Sequence, residues 1–112
     1  MEIEIPQKIE EIIIKAASVH FGLEVKEYTE NRSKDHYSSY QRFIAIYLLR
    51  ENTLLSFEAI GKFFGRKDCT TRNGYNQISG LEAIKDRRTI TDIREITSII
   101  DSFTEQKKKN YS

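Results

Sequence analysis

The stretch Ser56-Phe57-Glu58-Ala59-Ile60-Gly61-Lys62-Phe63-Phe64-Gly65-Arg66-Lys67-Asp68-Cys69-Thr70-Thr71-Arg72 decides how this sequence folds. Ser56 can cap a helix of about two turns that carries Phe57, Ile60, Phe63 and Phe64, and Gly65 stands where a left-handed C-terminal stop is needed. After Gly65-Arg66-Lys67 a new N-cap is expected at Asp68. Two helices joined by so short a glycine-containing turn have the sequence form of a helix-turn-helix, whose second helix is offered to the DNA major groove. A plain helical hairpin would carry the same pattern. The second helix is expected to run from Asp68 past Tyr75, Ile78, Leu81 and Ile84. It can bend or end early, because a glycine inside a helix costs about 1 kcal/mol relative to alanine and Asn73-Gly74 is a turn signal.

Outward from this pair the chain continues as helices. Upstream, Ser38 or Ser39 can cap a long helix with an apolar stripe of Phe43, Ile44, Tyr47 and Leu48 that ends near Glu51-Asn52. Before it, Asn31-Arg32-Ser33-Lys34-Asp35 reads as a basic loop, and Leu23 to Tyr28 holds too few apolar residues for a long helix. A first helix at about 7 to 21 opens at Pro6, where the missing N–H costs nothing. It repeats Ile9, Ile12, Ile13, Ala16, Ala17 and His20 at helical spacing and stops at Gly22. Downstream, Thr91 is expected to cap a helix from Asp92 to Phe103, with Ile93, Ile96, Ile99, Ile100 and Phe103 on one side. No alternating strand pattern competes. The expected architecture is all-α: a compact bundle of five to six helices forming a single domain over residues 1–104, followed by a flexible basic tail over 105–112.

The length of 112 residues fits one core, and a hydrophobic share of 38% against 31% charged residues suits a folded domain with a modest interior. Apolar runs fall far short of the roughly 20 residues that a membrane span needs. The acidic start Met1-Glu2-Ile3-Glu4 lacks the basic region of a secretory signal, so a cytoplasmic protein is expected, nucleoid-associated when bound to DNA. Cys69 is the single cysteine, and with His20 and His36 it gives no metal-ligand spacing. GxxxxGK[ST], GxGxxG and GxSxG are absent, so neither an enzyme nor a cofactor is expected.

Charge is distributed unevenly. Residues 1–30 hold seven acids and three bases. Residues 31–72 hold the bases Arg32, Lys34, Arg42, Arg50, Lys62, Arg66, Lys67 and Arg72 against Asp35, Glu51, Glu58 and Asp68. A basic middle on an otherwise neutral chain is what a local polyanion-binding face would produce, although solvated helix faces would also do so.

Val19-His20-Phe21-Gly22-Leu23-Glu24-Val25, Arg42-Phe43-Ile44-Ala45-Ile46-Tyr47-Leu48, Ser56, Ile60-Gly61 and Phe63 to Thr71 together resemble the C-terminal DNA-binding domain of the bacterial replication initiator DnaA. The likeness covers about residues 8–103. Its most specific piece is the family's RDHTT signature, present as Lys67-Asp68-Cys69-Thr70-Thr71. The resemblance implies a Trp-repressor-like bundle around a helix-turn-helix. It implies base contacts from Asp68, Cys69, Thr70 and Thr71, and a minor-groove contact from Lys34 or Arg32. It also implies a phosphate contact from Arg42, and the basic rim adds Ser56, Lys62, Arg66, Lys67 and Arg72. Base chemistry agrees: a carboxylate accepts from cytosine N4 and a threonine methyl meets the thymine methyl. Asp68 could instead be a plain N-cap, and Thr70 and Thr71 could be helix-start packing.

The sequence departs from the family at several points. Cys69 replaces the signature histidine, Arg72 follows where an apolar inward residue is usual, and the stretch to Ile78 is one residue short, which predicts a helix rotated or shifted in register. The loop before the central helix carries fewer bases than the family's. No ATPase module precedes the domain, so a standalone DNA-binding form is expected, serving replication or transcription regulation in a bacterium or phage. The partner expected is double-stranded DNA. The alternative is a protein-interaction module that kept the fold and binds through Phe57, Phe63, Phe64 and Tyr75 or through the acidic first helix. A homodimer would need an apolar face, for which Ile96, Ile99 and Ile100 are candidates, although they fit an intramolecular core as well. Cys69 could be a redox-sensitive contact or simply tolerated.

Overall fold

The computed structural model describes residues 8–31 and 35–109, with side chains described through Thr104. Its helices are α1 Ile9–His20, α2 Val25–Glu30, α3 His36–Asn52, α4 Phe57–Phe64, α5 Asp68–Ala83 and α6 Arg87–Lys109. Every regular element among the described residues is a helix, so the all-α expectation holds. Pro6 lies outside the described residues.

The central helix is α3, which packs against α1, α4, α5 and α6. Ile44, Ala45, Ile46, Leu48 and Leu49 are all buried, a wider apolar surface than the expected stripe, because neighbours cover this helix on several sides. Its cap is Asp35 rather than Ser38 or Ser39. The Asp35 carboxylate accepts from the Ser38 N–H at 2.8 Å and from the Ser38 hydroxyl at 3.0 Å, so the helix begins earlier than the serines suggested.

A similar shift occurs at α6. The Asp86 carboxylate accepts from the Thr89 N–H at 3.1 Å and the Thr89 hydroxyl at 2.8 Å, starting the helix at Arg87 and leaving the expected cap Thr91 inside it. Helical backbone continues to Lys109, beyond the Phe103 end expected from the apolar pattern. Ile96 is fully buried, and Ile99 and Ile100 pack on the core. The apolar side of α6 therefore packs on the interior of this chain.

Helix α5 runs unbroken through Asn73-Gly74. Gly74 is buried because α3 approaches it: a Cβ there would stand 2.8 Å from the Cγ and Cε1 of Phe43, so glycine permits an approach that a larger residue would block. Among the described residues, helices end on left-handed backbone at Gly22, Gly65 and Lys85, with φ of 72°, 62° and 57°. At the last, Asp86 N–H bonds to Leu81 O at 2.9 Å and Lys85 N–H to Glu82 O at 3.0 Å, closing a Schellman stop on a lysine.

The core joins Ile13 of α1, Tyr28 of α2, Ile44 and Leu49 of α3, Ile60 and Phe64 of α4, Ile78 of α5 and Ile96 of α6. The Tyr28 hydroxyl donates to the Gln41 carbonyl. A polar clasp closes the far side, where Asp92 of α6 accepts from the Tyr40 hydroxyl at 2.6 Å and pairs with His20 Nε2 at 2.8 Å. It ties α1, α3 and α6 together away from the α4–α5 turn.

Candidate nucleic-acid interface

Ser56 caps α4 as expected, its hydroxyl accepting from the Ala59 N–H at 3.1 Å. Gly65 then turns the chain, with the Arg66 N–H returning to the Gly61 carbonyl at 2.9 Å. Helix α5 begins one residue earlier than a cap at Asp68 would place it: Lys67 holds the extended N-cap conformation, and Asp68 is the first helical residue. The Asp68 carboxylate is therefore no cap; it lies exposed in the first turn, where a helix N-terminus favours negative charge.

The phase of α5 is fixed by a buried stripe of Thr71, Gly74 and Ile78. Thr71 is fully buried, and its hydroxyl donates to the Lys67 carbonyl at 2.9 Å. This corrects the expectation that Thr71 contacts bases: Gly74 and Ile78 face inward, and the residue one turn before Gly74 must face inward too. Asp68, Cys69, Thr70 and Arg72 are exposed around the start of the helix. Lys62, Lys67 and Ser56 are exposed on the same helix-turn-helix, and Arg66 is half-buried in its turn.

Arg42 also lies elsewhere than expected. It is only 5% exposed, its guanidinium reaching Ser39 Oγ at 3.2 Å and the Asn31 carbonyl at 3.5 Å. Arg66 donates to the same carbonyl at 3.1 Å. Burial, and then the nearby Arg66 guanidinium, hold the Arg42 pKa below its ordinary value. Arg42 thus fastens the end of α2 to α3 instead of standing open to a phosphate, while Arg66 ties the same carbonyl to the turn between α4 and α5. Arg32 and Lys34, read as minor-groove residues, lie outside the described residues.

Residues 10–78, from α1 into α5, match the family described as the bacterial dnaA protein helix-turn-helix. The chain belongs to this DnaA family. Chromosomal replication initiator proteins DnaA are among its relatives. The protein from Lachnoclostridium phytofermentans is 40% identical over 70 residues, covering 61% of this chain and 15% of its own length. That from Tropheryma whipplei is 37% identical over 88 residues, covering 79% of this chain and 18% of its own. That from Synechocystis is 41% identical over 61 residues, covering 54% and 13%. The chain thus spans less than a fifth of the length of these curated DnaA relatives.

Beside this DnaA-type helix-turn-helix stands one base of the middle stretch to which the sequence assigned no contact. Arg50, in the last turn of α3, donates to the Leu55 carbonyl at 2.8 Å and lies 4.6 Å from the Phe57 ring centroid. Arg72 of α5 sits over the same ring at 5.5 Å. Two guanidiniums thus flank Phe57 beside the start of α4, a pairing invisible in sequence because it joins three helices. Of the aromatic set offered as a protein-binding surface, Phe64 is buried, Phe63 is partly buried against the core, and Tyr75 stacks on Tyr47 with centroids 5.5 Å apart. No described helix is long and apolar enough to cross a membrane.

Proposed function

We propose that this chain binds double-stranded DNA in a sequence-dependent manner through α4 and α5, as a non-catalytic module. The observation that carries the reading is the start of α5, where Asp68, Cys69 and Thr70 stand exposed beside the cations Lys62, Lys67 and Arg72 on a family-matched helix-turn-helix. In this reading the Asp68 carboxylate accepts from cytosine N4, the Thr70 methyl meets a thymine methyl, and Cys69 makes a short contact in place of an imidazole. Ser56, Lys62, Arg66, Lys67 and Arg72 contact phosphates and set the register. Arg42 acts indirectly, by holding Asn31 at the entry of the loop that carries Arg32 and Lys34, the proposed minor-groove residues.

Phosphate contact releases counterions, so affinity falls steeply with salt, whereas sequence preference rests on the base-facing residues. The relatives named as chromosomal replication initiators support replication, or regulation at a bound site, as the process served. The test is selection from a randomised duplex pool by the purified chain, with fluorescence anisotropy at two salt concentrations. A recovered motif that Asp68→Ala alters supports the proposal. No retention even at low salt overturns it and points instead to a protein partner.

A further inference from the structure

We infer that the base-reading surface of α5 extends a turn beyond Thr70 to Asn73 and Asn76, whose carboxamides read adenines in the major groove. This rests on the proposed DNA-binding function and deepens it. At about 100° per residue, the direction opposite the buried stripe of Thr71, Gly74 and Ile78 is occupied by Cys69, Asn73, Asn76 and Gly80, all exposed. This outer ridge carries no charge, and Arg72 lies beside it. An uncharged ridge with a cation at its side can meet base edges while the cation reaches a phosphate.

The two asparagines have no structural employment. Neither caps a helix, neither is buried, and neither carboxamide hydrogen-bonds to a described residue. Asparagine is also a weak helix former in an interior turn, so neither position is explained by stability. A carboxamide presents donor and acceptor side by side, which matches the N7 acceptor and N6 amino donor of adenine. Along the axis the two residues are about 4.5 Å apart, close to the spacing of about 3.4 Å between stacked bases. They therefore address neighbouring base pairs. On the same ridge Gly80 has nothing within 4 Å of where its Cβ would stand, so the surface stays low past Asn76 and leaves room for close approach.

The experiment repeats the duplex selection with wild type, Asn73→Ala, Asn76→Ala and Asp68→Ala, followed by anisotropy on the selected duplex with single adenines changed to 7-deazaadenine. Alanine at either ridge position favours the helix, so thermal unfolding should be unchanged or slightly higher and shows that each variant is folded. Wild type should select adenine at one or two adjacent positions and bind about tenfold more weakly on 7-deaza substitution there. The matching asparagine variant should lose the adenine preference and respond no further to the modified base. A wild-type motif that Asp68→Ala alters but both asparagine variants reproduce overturns this inference and leaves the DNA-binding reading intact. A wild type that retains no motif overturns both.

Discussion

Gly61 and Thr71 meet where α4 crosses α5: a Cβ on Gly61 would stand 2.8 Å from Thr71 Oγ1 and 2.5 Å from the Arg66 carbonyl oxygen. One neighbour is backbone and the other is fully buried, so neither can yield. Gly61→Ala should therefore destabilise the chain by about 1–3 kcal/mol through overpacking. Gly80→Ala, with open space around the new methyl, should gain up to about 1 kcal/mol from helix propensity. Urea unfolding of the two variants beside wild type checks both signs.

Thr70 and Thr71 are sequence neighbours with opposite fates. Thr71→Ala removes a buried methyl and a hydroxyl that donates to the Lys67 carbonyl, and should cost about 1–2 kcal/mol of stability. Its selected DNA motif should remain that of wild type. Thr70→Ala should leave stability nearly unchanged and flatten one motif position by about 1–3 kcal/mol. Unfolding and duplex selection on the same preparations separate the two effects.

On the rim, Lys62→Ala, Lys67→Ala and Arg72→Ala should weaken every duplex alike. Each substitution that frees one phosphate should reduce the slope of log affinity against log salt by about 0.9. Salt titrations on a selected and an unrelated duplex test this, and a change confined to the selected duplex would contradict the assigned role.

The clasp around Asp92 should be worth measuring by itself. Asp92→Ala strips the Tyr40 hydroxyl and His20 of their shared partner and should cost about 1–3 kcal/mol. Tyr40→Phe should cost less, since it removes the donor together with its need for a partner. A double-mutant cycle of the two substitutions, followed by urea unfolding, should show that their effects are coupled.

Alkaline titration should show a group of protected tyrosines. Burial raises the pKa of Tyr28; burial and then the hydrogen bonds to Asp92 and Glu82 raise those of Tyr40 and Tyr47. For Tyr75 the bond to Glu51 is the leading cause. A pKa raised above the unfolded value of about 10 contributes stability that is complete below that pH and is lost as pH climbs toward the folded values. Stability should thus fall above about pH 10, and tyrosinate absorbance should appear in two stages, the second coincident with loss of helical circular dichroism.

Sequence periodicity and stop signals determined five of the six described helices and the α4–α5 turn, leaving out the short α2, and the motif resemblance pointed to the family. These depend on nearest turns: Ser56 caps α4, Gly65 ends it, and the apolar spacing of α1, α3 and α6 survives in the fold. Helix starts were legible less well, because Asp35 and Asp86 compete with nearby serines and threonines and only hydrogen-bond geometry shows which side chain caps. The lysine stop at Lys85 carries no glycine to announce it. What the tertiary structure alone decided was the rotation of α5 and the employment of the arginines. The close approach of Gly74 to Phe43 fixes the helix phase, turning Thr71 inward while Asp68, Cys69 and Thr70 stay exposed. Arg42 and Arg66 are drawn to the Asn31 carbonyl, and Arg50 and Arg72 to the ring of Phe57. Such choices depend on surfaces brought together from distant parts of the chain, where packing and unmet hydrogen bonds outweigh any preference written within a single turn.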